Sequence, residues 1–135
     1  MTLTPVPHRP VLEGLRVLIV DDLAVAAETL ALLLELEGAS VRTVLCGQDA
    51  LAQAREFEPH AVVMDLGLPD MDGAEVARRI RQQPALRSTL LIALTGYSQA
   101  MGPGGRAMQA FDAYLVKPAD TDKLLAYLLS AVPAR

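Results

Sequence analysis

Cysteine occurs once in these 135 residues, at Cys46. An internal disulfide is therefore excluded, and a thiolate metal cluster has no basis. Positive charge is also short: 12 lysines and arginines face 16 aspartates and glutamates, a formal net charge of −4. Nucleic-acid phosphates demand a basic footprint, which such a chain lacks. Histidine is represented only by His8 and His60, which read as solvated or turn residues remote from the acids discussed below. No apolar run approaches the roughly 18 residues of a membrane span, and the start of the chain has no signal-like apolar segment. The expectation is a cytoplasmic protein with no nucleic-acid partner and no membrane span. What is present is 52% hydrophobic and 21% charged residues, one domain's worth of chain that can bury a continuous core.

Met1 to Pro10 carries three prolines and no apolar periodicity, so residues 1–13 read as a tail or linker and 14–132 as the domain. Short apolar runs then alternate with helical stretches. Leu15 to Val20 reads as a strand with Asp21-Asp22 at its exit. A helix from about Ala24 to Glu37, stopped by Gly38, carries Leu23, Ala27, Leu30 and Leu34 as its core stripe. Leu32 and Leu36, with Val25 a turn or more earlier, lie off that stripe. They read as packing over a wide helix face or as a docking patch for a partner.

A second strand near Ser40 to Leu45 and a helix from about Gln48 to Phe57 follow. Ala61-Val62-Val63-Met64 is a strand buried on both faces. It ends at Asp65, where Gly67, Pro69 and Asp70-Met71-Asp72-Gly73 force a loop. A helix from about Ala74 to Arg81 leads to the strand Leu90 to Leu94, ending at Thr95-Gly96. Ala113 to Val116 is the fifth strand, ending at Lys117-Pro118. A last helix, capped by Asp120 or Thr121, runs to about Ala131. Before the fifth strand, Gly102-Pro103-Gly104-Gly105 leaves only about Arg106 to Ala110 helical. Strands alternating with helices call for an α/β fold with a parallel sheet covered on both sides.

In a parallel sheet all strand exits lie along one edge, and ligands bind there. That edge would gather Asp21, Asp22, Asp65, Thr95 and Lys117. Crowded carboxylates repel by about 4 kcal/mol per pair at about 4 Å and an effective dielectric near ~20, so the site calls for a cation. With oxygen donors alone, Mg²⁺ is the natural occupant. Carboxylate, Mg²⁺, lysine and hydroxyl together suit phosphoryl transfer, with the carboxylate as nucleophile and no general base required.

Taken together, Val17-Leu18-Ile19-Val20-Asp21-Asp22, Met64-Asp65-Leu66-Gly67-Leu68-Pro69 with Met71-Asp72-Gly73, Ala93-Leu94-Thr95-Gly96 and Tyr114-Leu115-Val116-Lys117-Pro118 resemble the receiver domain of the two-component response-regulator family, from about Leu15 to Leu129. The resemblance implies a flavodoxin-like, doubly wound five-stranded parallel sheet of order 2-1-3-4-5 with helices on both faces, the fourth short or irregular. It implies Asp65 as phosphoacceptor. Asp22 and Asp65 would bind Mg²⁺, with Asp21 acting through water and Gly67 through its backbone carbonyl. Lys117 would pair with the phosphoryl group, Lys117–Pro118 would be a cis bond, and Thr95 and Tyr114 would form a switch pair. A half-buried core aromatic is the plainer reading of Tyr114.

The implied partner is a histidine kinase or a histidine phosphotransfer domain, with the chain a monomer or weak dimer. The implied activity is self-catalysed phosphotransfer and autodephosphorylation rather than turnover of a substrate. Leu12-Glu13-Gly14-Leu15-Arg16 resembles the lead-in of hybrid-kinase receivers.

Departures from the family pattern are Leu23 in place of a polar residue, Ala110 in place of a glycine, and the Gly-Pro-Gly-Gly break. They bear on readout rather than on the acceptor. Tyr97 would shield the phosphoryl group. A haloacid-dehalogenase-type phosphatase would want a second acid where Gly67 stands, and a pseudo-receiver would have lost part of the acid set. Arg78, Arg79, Arg81 and Arg87 read as a solvated helix face, and Cys46 as a small apolar residue beside a turn.

Overall fold

Two apolar layers hold five strands between them. The computed structural model describes residues 9–96, 110–118 and 120–133. Among these lie β1 (Arg16–Val20), α1 (Ala24–Leu36), β2 (Ser40–Val44), α2 (Gly47–Phe57), β3 (Ala61–Asp65) and α3 (Gly73–Gln82). A 3₁₀ turn (Pro84–Leu86), β4 (Leu90–Thr95), β5 (Ala113–Val116) and α4 (Thr121–Leu129) complete them. The sheet order is β2-β1-β3-β4-β5, and every pairing is parallel. This is the expected flavodoxin-like architecture. The readings placed on Tyr97, on the Gly-Pro-Gly-Gly break, on a helix at Arg106 to Gln109 and on His8 fall outside the described residues.

Strand alternation sorts the core. Val17, Ile19, Val63, Ile92 and Leu115 pack against Ala27, Ala31 and Leu34 of α1 and Leu124 and Leu128 of α4. Leu18, Val20, Val62, Met64, Leu91 and Ala93 pack against Ala50 and Ala54 of α2 and Val76, Ala77 and Ile80 of α3. All five β3 residues are buried, whereas edge strand β2 is largely exposed. An unbroken apolar run marks a strand covered on both faces.

Three expectations need correction. Leu23 is not part of the core stripe of α1: it stands 60% exposed, while Ala31 is buried. Leu32 and Leu36 do not pack on the sheet either. With Val25 they form a stripe 65–77% exposed, on the side of the helix away from Ala27 and Leu34. Part of the lead-in packs on the domain. Leu12 is fully buried, its N–H donates to the Glu37 carbonyl at 2.7 Å, and its burial contributes about 1.5–3 kcal/mol. Gly38 permits this crossing, since at φ +97° a Cβ would lie 2.8 Å from Glu13 Cγ.

The third correction concerns Arg81, which does not lie on a solvated face. Its guanidinium donates to the carbonyls of Thr89 at 2.6 Å, Arg87 at 2.9 Å and Ala110 at 3.3 Å, and to Asp112. Asp112 in turn accepts from the Leu91 N–H at 2.7 Å. Arg78 and Arg79 instead fork onto half-buried Glu75, and those hydrogen bonds hold its carboxyl pKa down at about 2. Arg81→Ala strands several acceptors at once, so urea unfolding should report a loss of about 2–3 kcal/mol, while Arg78→Ala should leave the midpoint nearly unchanged.

At the opposite end of β3 from Asp65, His60 accepts the Arg16 N–H on Nδ1 at 2.9 Å, which places its own proton on Nε2. Burial, and then the Arg16 charge, push its pKa below 6.5. The unfolded chain thus binds this proton more readily than the folded one. Stability is retained above pH 6.5 and falls as pH drops from there through the lower folded value. Urea midpoints between pH 7.5 and 5 should fall accordingly, and His60→Gln should remove that component.

Candidate functional site

β1 carries the first acids to the sheet edge. The Asp21 N–H donates to the Val44 carbonyl at 3.1 Å, so the ladder runs one residue beyond the strand. Its carboxylate then turns back, Oδ1 accepting the Leu23 N–H at 2.9 Å. Asp21 is buried and Asp22 exposed.

β3 ends in Asp65, whose side chain is 10% exposed. Its Oδ1 accepts the Gly67 N–H at 2.9 Å, and its Oδ2 receives Lys117 Nζ at 2.9 Å. The same ammonium lies 3.8 Å from Asp21 Oδ2. Asp21, Asp22 and Asp65 each offer a carboxylate oxygen, and these lie within 4.8 Å of one another.

Burial raises the Asp21 pKa above 3.8. The Leu23 hydrogen bond and the Lys117 charge work against that rise, and Asp65 and Asp22 add to it. Burial alone would lower the pKa of Lys117, but its hydrogen bond to Asp65 and the surrounding acids raise it above 10.5. Three carboxylates against one ammonium leave an excess of negative charge that a divalent ion offsets. The three acids provide oxygen donors, with no sulfur or imidazole in the cluster, and such a set suits Mg²⁺.

Thr95 closes β4, fully buried, with its hydroxyl donating to the Gly96 carbonyl at 3.0 Å. Its partner across the ladder is Val116, and Ala93 pairs with Tyr114, so strand alternation puts Thr95 and Tyr114 on one face of the sheet. Tyr114 is 43% exposed, its ring centroid 6.2 Å from that of Phe111. The Lys117 N–H donates to the Thr95 carbonyl at 2.9 Å, and Lys117–Pro118 is cis. Gly67 sits exposed in the loop after β3. Cys46 is a free thiol immediately before α2.

Sequence reasoning passed over Asp70 and Asp72 except as loop formers. Asp72 Oδ1 caps α3 through the Ala74 N–H at 3.0 Å, a role its position before an apolar-periodic stretch could have signalled. Asp70 accepts the Gly47 and Gln48 N–H groups at 2.8 and 3.0 Å. No local pattern reports a contact between residues so far apart in the chain.

The family described as the response regulator receiver domain matches residues 17–129. Protein PilG of Pseudomonas aeruginosa is 30% identical over 122 residues, 90% of each chain. Of the response regulator ArlR of Staphylococcus aureus, 37% identical over 111 residues, the chain spans 49%. Among solved structures, the receiver domain of a Pseudomonas aeruginosa sensor histidine kinase, with a magnesium ion coordinated in its active-site cleft, superposes at TM-score 0.78 with 29% identity, covering 90% of this chain and 99% of that one. The Thermotoga maritima response regulator TrrA in complex with Mg²⁺–BeF gives 0.76 at 30% identity, over 86% and 97%. With the matched residues running through both strand-end acids and the lysine, the chain belongs to the response regulator receiver domain family of two-component signalling, whose members work with histidine kinases or phosphotransfer proteins, and its acid cluster fits their Mg²⁺-dependent phosphoacceptor site.

Proposed function

We propose that Asp65 is the residue that receives the phosphoryl group and that residues 14–132 form the receiver unit, with Leu12 of the lead-in docked into it. The observation that carries this reading is the Lys117 ammonium 2.9 Å from Asp65 Oδ2 beside acids that meet within 4.8 Å. Asp22, Asp65 and the Gly67 carbonyl would hold Mg²⁺ directly, and Asp21 would hold it through water. Bound there, Mg²⁺ supplies positive charge against the phosphoryl oxygens.

The chain's own groups do the rest. The ionised Asp65 carboxylate forms an O–P bond as the N–P bond of a phosphohistidine breaks, and it has no proton to lose first. Lys117 exchanges its hydrogen bond to Asp65 for one to a phosphoryl oxygen. The Thr95 hydroxyl swings from the Gly96 carbonyl to another phosphoryl oxygen, and Tyr114 follows on the same sheet face, biasing the surface beside β5 and α4. Water later cleaves the acyl phosphate, so the module resets itself without turning over a separate substrate.

The donor is a histidine kinase or histidine phosphotransfer domain, and the exposed Val25, Leu32 and Leu36 stripe is its docking face. A cytoplasmic monomer or weak dimer fits this role, and a net charge of −4 gives nucleic acid no footprint. The same chemistry serves a stand-alone regulator and the receiver of a hybrid kinase.

Incubation with acetyl phosphate and Mg²⁺ should give one phosphoryl adduct by intact mass. Asp65→Asn, or removal of the metal by a chelator, should abolish it. Continuous phosphate release would indicate a phosphatase, and the absence of any adduct an interaction-only receiver. Leu32→Glu should slow phosphotransfer from the cognate donor by about tenfold or more, as expected for an apolar anchor worth over 1.4 kcal/mol, while labelling by acetyl phosphate stays unchanged. Equal donor rates in both proteins would remove α1 as the docking face.

A further inference from the structure

The start of α2 is completed from elsewhere in the chain. Its N-cap, Cys46, has the extended backbone of a capping residue (φ −150°, ψ 165°), yet its side chain makes no capping hydrogen bond. Helix starts leave N–H groups without intrahelical partners, and here two of them are taken by one carboxylate. Asp70 Oδ1 accepts from Gly47 at 2.8 Å and Oδ2 from Gln48 at 3.0 Å. Asp70 lies on the loop between β3 and α3, the loop that also contains Gly67.

The rest of that loop is fitted with equal closeness. A Cβ at Gly47 would lie 2.9 Å from Val76 Cγ2 and 3.0 Å from Met71 Cβ, and one at Gly73 would lie 3.1 Å from Leu66 Cα. Only glycine lets α2 and α3 approach the loop so nearly. Gly67 itself is tied to the acceptor, its N–H donating to Asp65 Oδ1 at 2.9 Å. A backbone carbonyl has no rotamers, so its position is set by the loop alone, and groups that orient metal ligands govern affinity nearly as strongly as the ligands do.

We propose that Asp70 is a positioning residue for the divalent-ion site: by bridging the β3–α3 loop to the start of α2, it fixes where the Gly67 carbonyl stands. This rests on the reading in which that carbonyl and the three acids hold Mg²⁺. A cap that served only the helix could be supplied locally from position 46. The bridge from residue 70 stabilises the helix and the ion-binding loop with one side chain.

The test titrates Mg²⁺ alone into the full chain by calorimetry, beside urea unfolding in the absence of the metal. Asp70→Ala should weaken Mg²⁺ binding by about tenfold and lower the unfolding midpoint. Its acetyl phosphate labelling should recover once Mg²⁺ is saturating, a shift in metal requirement rather than in limiting rate. Adding Cys46→Ser to Asp70→Ala puts a preferred capping residue at the N-cap. The double variant should regain the midpoint and leave Mg²⁺ binding weak. Asp70→Asn, which keeps one acceptor oxygen, should fall between wild type and Asp70→Ala and provides the affinity measurement should Asp70→Ala fail to fold. Wild-type affinity in Asp70→Ala or in Asp70→Asn, or recovery of affinity with stability in the double variant, would reduce Asp70 to a helix cap. A wild-type chain that takes up no Mg²⁺ would overturn the ion site itself, and this inference with it.

Discussion

Three carboxylates pressed together beside one ammonium set the terms for the rest of the molecule. At the effective dielectric of a protein edge, about 20, like charges at such separations repel by several kcal/mol, so Asp21, Asp22 and Asp65 would move apart if the backbone let them. They stay together because β1 and β3 are adjacent in the sheet and are buried on both faces, so the strand ends cannot drift without opening the core. Lys117, delivered from β5 two strands away, relieves part of the repulsion. The fold thus stores an electrostatic imbalance that a divalent cation can discharge, and such a cation would stabilise the folded chain as well as prepare it for chemistry. The upward shift of the Asp21 pKa despite its lysine neighbour comes first from burial, with the charges of Asp65 and Asp22 adding to it.

The sheet and the acid cluster were legible because their signals are local and redundant. A run such as Ala61 to Met64 is apolar without alternation, and it ends in an acid followed by glycine and proline. The apolar runs of β1, β4 and β5 likewise end in a polar or charged residue, Asp21, Thr95 and Lys117, and parallel connectivity gathers the exits on one edge. Helix α1 was less legible for the converse reason. It is apolar nearly all round, so periodicity cannot tell the face that meets the sheet from the face left bare. Small Ala27 and Ala31 turn inward where the helix lies close to the sheet, and larger Leu32 and Leu36 turn outward. Arg81, His60 and Asp70 were missed on another ground. Each bonds to groups set by tertiary approach, and composition or spacing carries no trace of that.

Two arginines of this chain serve structure at a distance from the acid cluster. Arg16 and Arg81 both spend their donors on backbone carbonyls, Arg16 on Phe57 and Glu58 and Arg81 on Arg87, Thr89 and Ala110. A planar fork with several fixed donors suits that stitching, because one side chain can satisfy carbonyls from different segments. The acid edge instead uses a lysine, a compact point charge on a flexible stem that can transfer its contact from one oxygen to another. The division places rigid cations at the loops and the flexible one beside the acid cluster.

Leu12 and Gly14 enter beneath the sheet, beside the close of α1, and Pro133 lies 3.7 Å from where a Gly14 side chain would begin. Both ends of the folded unit therefore leave from the rim opposite the acids. The geometry separates the points where the described unit starts and stops from the surface on which its chemistry depends.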